Sequence, residues 1–250
     1  MRFYPASAPR AGFTLVELLA VIGVIGLLSG LVFGGISAAR TASKRAKCSS
    51  NLRSMAAAAI AYAGDNRGEF PWGLKSVPGY SSWAWDFVVP AGGKPEPGAR
   101  WQGYGLVGIL QCPECAGADP NWSGDPATGY NYNCSFIGKI EGDSGRRKTP
   151  ARMSQIRDPA RTALFGDGEY SGGMNKFMRS PEKDRTHDNS AAGTRLAGTQ
   201  GFRHGKYTNV SFCDGHVESL SEAYTAGGAG FTSHRCGFLS GDNSLYSLDK

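Results

Sequence analysis

The sequence predicts an α+β fold, one long N-terminal helix packed on a small antiparallel β-sheet with long irregular loops, and three observations predict it. From Phe13 to Ala39 the chain runs through 27 residues with Glu17 as the single charge, enough apolar length to cross a bilayer core of about 30 Å. Beyond it Leu52, Met55, Ala59 and Tyr62 recur in steps of three and four, so the helix continues with one apolar face. Near the other end Asp214-Gly215 separates two alternating runs, Tyr207–Phe212 and His216–Leu220, the pattern of a hairpin.

Taken in order, residues 1–12 are short, carry Arg2 and Arg10 and end on Gly12. They lack a long apolar region and a small-x-small cleavage site, so they do not read as an ordinary secretory signal. In the apolar segment, residues 13–39, Gly26, Gly30 and Gly34 recur at every fourth position, with Gly23 and Gly35 beside them. Glycine at that spacing leaves a smooth stripe on which another helix can approach closely. It also weakens the helix, by up to about 1 kcal/mol per glycine relative to alanine in water. Residues 40–64 are the amphipathic continuation, and Gly64-Asp65-Asn66-Arg67-Gly68 followed by Pro71 ends it.

Residues 65–250 form the globular part. The stretch 70–128 holds all five tryptophans, Trp72, Trp83, Trp85, Trp101 and Trp122, which read as packing anchors before they read as a carbohydrate-stacking surface. Strands are expected at Tyr130–Ile137 and Thr162–Phe165, ahead of the hairpin. A two-residue Asp-Gly loop sets a register with Val210, Phe212 and Val217 on one face and Ser211, Cys213, His216 and Glu218 on the other.

Composition narrows the function. The 36 glycines and 13 prolines imply long loops and a modest core, and they show no three-residue period, which excludes a collagen. The net charge of +6 falls to about +4 without Arg2 and Arg10. Arg40, Lys44, Arg45 and Lys47 follow the apolar segment, where each could gain on the order of 1 kcal/mol from anionic lipid headgroups. No nucleic-acid motif accompanies the charge, so no nucleic-acid partner is expected. Six cysteines behind an apolar anchor suit an oxidising, extracytoplasmic compartment.

Three groups of side chains could carry chemistry. Glu17 lies inside the apolar segment, where a carboxylate costs roughly 2.5–3.5 kcal/mol at mid-membrane, so it calls for a cation. His204, Asp214 and His216, with Asp167 or His187, offer donors for zinc, while Asp167, Asp214 and Glu218 could serve calcium. The simpler account, in which Asp214 makes the turn and His204 bonds a loop carbonyl, is preferred, and no cofactor is expected. The pair Cys112-Pro113-Glu114-Cys115 has neither a βαβ setting nor a second CxxC. Structural disulfides are favoured, and of fifteen connectivities the choice is Cys48–Cys112, Cys115–Cys134 and Cys213–Cys236. No phosphate loop, nucleophile elbow or HExxH appears, so an enzyme is not expected.

The stretch Gly12-Phe13-Thr14-Leu15-Val16-Glu17-Leu18-Leu19, behind its basic leader, closely resembles the type IV prepilin family. The resemblance implies cleavage after Gly12 by a prepilin peptidase, methylation of the new amine on Phe13, and a role for Glu17, the fifth mature residue, in filament entry. The physical expectation is that Glu17 of one subunit meets the Phe13 ammonium of a neighbour, since each charge is costly alone in lipid. The span from His204-Gly205 to Cys213-Asp214-Gly215 resembles the H-x9-DG region of a subgroup of bacterial prepilin-like proteins. Cys48-Ser49-Ser50-Asn51-Leu52-Arg53 and Asp65 to Pro71 are similar to that subgroup's helix and helix exit. Weaker echoes are Cys112-Pro113, Tyr130-Asn131-Tyr132-Asn133 and Ala163-Leu164-Phe165.

Together these imply a pilin-like subunit of a type II secretion pseudopilus or a type IV pilus-like filament. Its partners would be other pilin-like subunits, the peptidase, the assembly machinery and membrane lipid. The resemblance places the leader in the cytoplasm and the globular part outside the inner membrane, against the positive-inside count, which favours the side holding Arg40 to Lys47. Two other classes stay open: a membrane-anchored glycan-binding module using the tryptophan-rich loops, and a metal-dependent periplasmic enzyme centred on His204 and Asp214.

Overall fold

The computed structural model describes residues 12–77, 80–85, 110–115, 128–141, 148–169, 175–181, 198–224 and 235–249. It divides between Ala42 and Ser43 into two compact units. The leader before Gly12, His187, Trp101 and Trp122 lie outside the described residues.

Helix α1 spans Leu15–Asp65. In the first unit its side chains meet solvent: Leu15 is 77% and Phe33 72% exposed. A window of 18 residues in this helix has a mean hydropathy of 2.5 with none of it buried, so it is long and apolar enough to cross a membrane. Two of its hydroxyls bond back to the helix, Ser29 donating to the Ile25 carbonyl at 2.7 Å and Thr41 to that of Ser37 at 3.2 Å. A Cβ added at Gly23, Gly26, Gly30 or Gly35 would meet nothing within 4 Å. No packing inside the described chain therefore explains these glycines.

In the second unit, from Ser43 onward, α1 turns Cys48, Leu52, Met55, Ala56, Ala59 and Ala63 into the core, one stripe at helical spacing. Tyr62, expected on that stripe, sits at its half-buried border. The helix ends as the turn residues direct: Gly68 N–H bonds the Ala63 carbonyl at 2.7 Å, with Arg67 and Gly68 at φ 57 and 81. Lys44 and Arg45 are held by protein partners, Lys44 by Glu114 at 3.3 Å and Arg45 over the Tyr207 ring at 3.9 Å.

The main sheet is built around β4, Ala163–Glu169, buried along its whole length. One edge pairs antiparallel with β3, Tyr130–Asn133, which pairs parallel with β5, Phe177–Met178, so the sheet is mixed by this one ladder. The other edge of β4 is shared. Residues 163–166 pair with β7, Thr208–Phe212, and residues 168–169 with β6, Thr199–Gly201. β8, Val217–Leu220, extends from β7, and β9, Cys236–Gly237, from β6. A separate hairpin of β1, Leu74–Val77, and β2, Tyr80–Ala84, lies in the stretch expected to be loop.

The hairpin at Asp214-Gly215 forms, with a correction to its register. Phe212 N–H bonds the His216 carbonyl and Gly215 N–H the Phe212 carbonyl, so three residues, Cys213 to Gly215, make the loop. Gly215 takes φ 93, the left-handed residue that closes a three-residue hairpin. The extra residue moves the pairing by one step and reverses the facing of β8. Val217 pairs with Ser211 and packs on the main core, while Val210 and Phe212 belong to a second cluster.

The main core stacks Trp85, Tyr132 and Phe165, with Trp85–Phe165 centroids at 5.1 Å and Tyr132–Phe165 at 4.9 Å. Trp85 Nε1 donates to the Lys176 carbonyl and Tyr132 hydroxyl to that of Pro71. Trp85 is thus a packing anchor with its polar atom satisfied. Trp72 is half-buried beneath Lys75. The tail after Leu220 is fastened by Tyr246, whose hydroxyl accepts the Leu239 N–H at 2.7 Å and whose carbonyl accepts from Asn133 Nδ2 at 3.0 Å.

Candidate functional site

Two sites emerge, one in each unit. At the head of α1, Thr14 precedes the first helical residue and Glu17 is the third inside. Glu17 Oε2 accepts from the Thr14 N–H and hydroxyl, both at 2.9 Å, while Glu17 N–H donates to Thr14 Oγ1 at 3.3 Å. This is a reciprocal capping box, and its signature, Thr14-Leu15-Val16-Glu17, stands in the sequence as a T-x-x-E motif. Glu17 therefore holds the first turn of its own helix. Phe13, immediately outside the cap, is 78% exposed. Gly12 is exposed too, and a Cβ there would meet nothing within 4 Å.

The second site lies in the core. Cys48 comes from α1, Cys112 from a turn beside Thr128, Asp167 from β4 and His204 from the turn before β7, and their donor atoms all lie within 4.8 Å of one another. Cys48 Sγ donates to Asp167 Oδ1 at 2.9 Å, His204 Nε2 lies 3.4 Å from Asp167 Oδ2, and Cys112 Sγ lies 3.5 Å from His204 Nε2. Asp167 reaches this place because β4 changes partners there: β7 pairs up to Gly166 and β6 takes over at Gly168. In that gap the Asn209 N–H bonds Asp167 Oδ2 at 2.7 Å in place of a main-chain acceptor.

Arg203 closes one side, donating to Cys115 Sγ and the Gly168 carbonyl, with Glu169 Oε2 at 3.4 Å. Gly129, at φ 73, opens room: a Cβ there would stand 2.6 Å from Cys115 Sγ and 2.8 Å from Cys112 Cβ. Burial opposes a charge on His204, but its hydrogen bonds to Asp167 and Cys112 and their negative charge outweigh that and push it up to about 9. The Cys112 thiol is pushed down by hydrogen bonds from Cys115 and Cys48, while burial pushes Cys48 up.

Of the described residues named from sequence as metal donors, the structure joins only His204 and Asp167 here. Asp214 and His216 face each other at the exposed hairpin, Oδ1 to Nδ1 2.6 Å, with Glu218 at 3.5 Å from His216 Nε2. All six cysteines are buried thiols. None of the three expected disulfides is formed: Cys48 and Cys112 lie within 4.8 Å of each other as thiols, and Cys115, Cys134, Cys213 and Cys236 are thiols as well. Cys115 lies against Cys112 and Arg203, and Cys134 faces Gly73. Cys213 belongs to the main core and Cys236 to a small cluster with Phe238. Thr14, Arg203 and Gly129 were not singled out from sequence, and for Arg203 only its place next to His204 could have suggested it.

No curated protein and no solved structure matches the chain. Residues 8–33, which contain Gly12, Phe13, Thr14 and Glu17, match the family model described as the prokaryotic N-terminal methylation motif. The match covers the head of the chain; with the exposed apolar helix that follows, it supports a type IV pilin-like prepilin and is compatible with an inner-membrane anchor.

Proposed function

We propose that this chain is a pilin-like or pseudopilin subunit that a prepilin peptidase cleaves after Gly12 and methylates on Phe13. The product assembles with other pilin-like subunits into a type II secretion pseudopilus or a type IV pilus-like filament. Until extraction by the inner-membrane machinery, residues 13–39 hold the subunit in lipid and residues 65–250 lie on the extracytoplasmic side. The reading is carried by the methylation motif over residues 8–33, which ends in an apolar helix whose single charge up to Ala39 is Glu17.

The physical basis is charge compensation. Cleavage creates an ammonium on Phe13, and four helical rises separate that residue from Glu17, about 6 Å along the axis. In hydrocarbon neither charge is tolerable alone, and a neighbour's opposite charge removes much of the cost of both. Glycines Gly26, Gly30 and Gly34 would let adjacent helices approach closely enough to make that contact.

Intact-mass and N-terminal peptide mass spectrometry on protein purified from its native membrane tests this reading. A chain beginning at N-methylated Phe13 is expected. An intact Met1 in the mature protein would reduce the helix to a plain anchor.

A further inference from the structure

The buried cluster of Cys48, Cys112, Asp167 and His204 plays no part in filament assembly as proposed above, yet its residues come from four places distant in sequence. We propose that Cys48 Sγ, Cys112 Sγ, the Asp167 carboxylate and His204 Nε2 form a structural zinc site that clips the buried stem of α1 to the sheet. A tetrahedral zinc, with Zn–S near 2.3 Å and Zn–N near 2.0 Å, sets ligand-to-ligand edges of about 3.3–3.8 Å. The His204–Asp167 and Cys112–His204 separations, 3.4 and 3.5 Å, already stand in that range. Cys48 Sγ, 2.9 Å from Asp167 Oδ1, would move outward and the wider separations, up to 4.8 Å, would close, side-chain adjustments on the order of an ångström.

The donor set chooses the metal. Two sulfurs, one imidazole and one carboxylate suit zinc, whereas calcium wants six or more oxygens. All four ligands are buried among the described residues, and four protein ligands are the complement of a structural zinc site. A disulfide between Cys48 and Cys112 would engage only two of the four and leave a buried imidazole against a carboxylate.

Of the outer groups, Asp167 has its support, while His204 Nδ1 is buried without a hydrogen-bond partner among the described residues. The Asn209 N–H at 2.7 Å and Nδ2 at 3.3 Å fix Asp167 Oδ2, the outer support that orients a ligating carboxylate. A dication with two thiolates and a carboxylate carries one net negative charge, and Arg203 stands beside it on Cys115. As the metal enters, the thiol and imidazolium protons leave to solvent, so that each ligand binds in its deprotonated form. Gly129 keeps the space in which Cys112 and Cys115 lie.

The test uses the full chain purified in detergent without chelator. Elemental analysis should find about one zinc per chain, lost in Cys112→Ser and His204→Ala and kept in His216→Ala at the exposed hairpin. Because the first two variants could fail to fold, chelator-stripped wild-type protein is also titrated with Co2+. It should develop the visible bands of a tetrahedral site and a thiolate-to-cobalt charge-transfer band. Absence of zinc together with no such bands would overturn the proposal, as would non-reduced peptides joining Cys48 to Cys112 or zinc retained in both ligand variants. None of these readouts depends on processing at Phe13, so failure here leaves the assembly reading standing.

Discussion

Thr14 and Glu17 close a reciprocal capping box, with both Thr14 donors on Glu17 Oε2 at 2.9 Å. Under the proposed assembly Glu17 has two separable tasks, capping its own helix and offering a charge to a neighbour. Glu17→Gln keeps an acceptor for the cap and removes the charge, whereas Glu17→Ala removes both, at about 0.5–2 kcal/mol for the lost cap. Both variants should enter the membrane, and both should fail to join filaments when pelleted assemblies are immunoblotted. Normal assembly of Glu17→Gln would mean that the cap alone matters.

The stem of α1 should be worth more to stability than its charges. Leu52 is fully buried while Arg53 beside it is exposed. Leu52→Ala should lower the unfolding free energy of the globular unit by about 2–5 kcal/mol. Arg53→Ala should change it by less than about 0.5 kcal/mol. Urea denaturation followed by tryptophan fluorescence, with Trp85 in the core, reads both.

Two glycines at positive φ should respond differently to alanine. At Gly215, φ 93, the new Cβ would meet only Ile60 Cδ1 at 3.5 Å, so the cost is backbone strain of about 1–2 kcal/mol. At Gly129 the same strain is joined by overlap with Cys112 and Cys115, adding about 1–3 kcal/mol of overpacking. Thermal melts of the two variants should therefore rank Gly129→Ala well below Gly215→Ala.

Tyr246→Phe removes the acceptor of the Leu239 N–H and should cost about 1–3 kcal/mol for the buried donor left without it. Hydrogen exchange at Leu239 should accelerate with little change in β3 or β4. Uniform acceleration across the sheet would contradict a local role for this tether.

The elements with short-range causes were legible. The helix followed from its apolar run and buried stripe, its end from Asn66-Arg67-Gly68, and the hairpin from Asp214-Gly215. The hairpin register was not, because Asp-Gly serves both two-residue and three-residue loops, and Phe212 choosing the His216 carbonyl decides between them. The core cluster was half legible. His204 and Asp167 were chosen as donors, but Asp214 and His216, near His204 in sequence, bond each other at the surface instead. Cys48 and Cys112 complete the group across 55 and more residues of chain, a convergence that depends on β4 exchanging partners at Asp167.

The central claim is that Glu17 of one subunit meets the Phe13 amine of another. Filaments assembled from equal amounts of ordinary and nitrogen-15-labelled subunits, treated with a zero-length carbodiimide, report that contact directly as an amide between the two residues. The account predicts mixed-isotope peptides joining Glu17 to Phe13. Intact filaments whose Glu17 and Phe13 peptides are never joined across isotopes would contradict it.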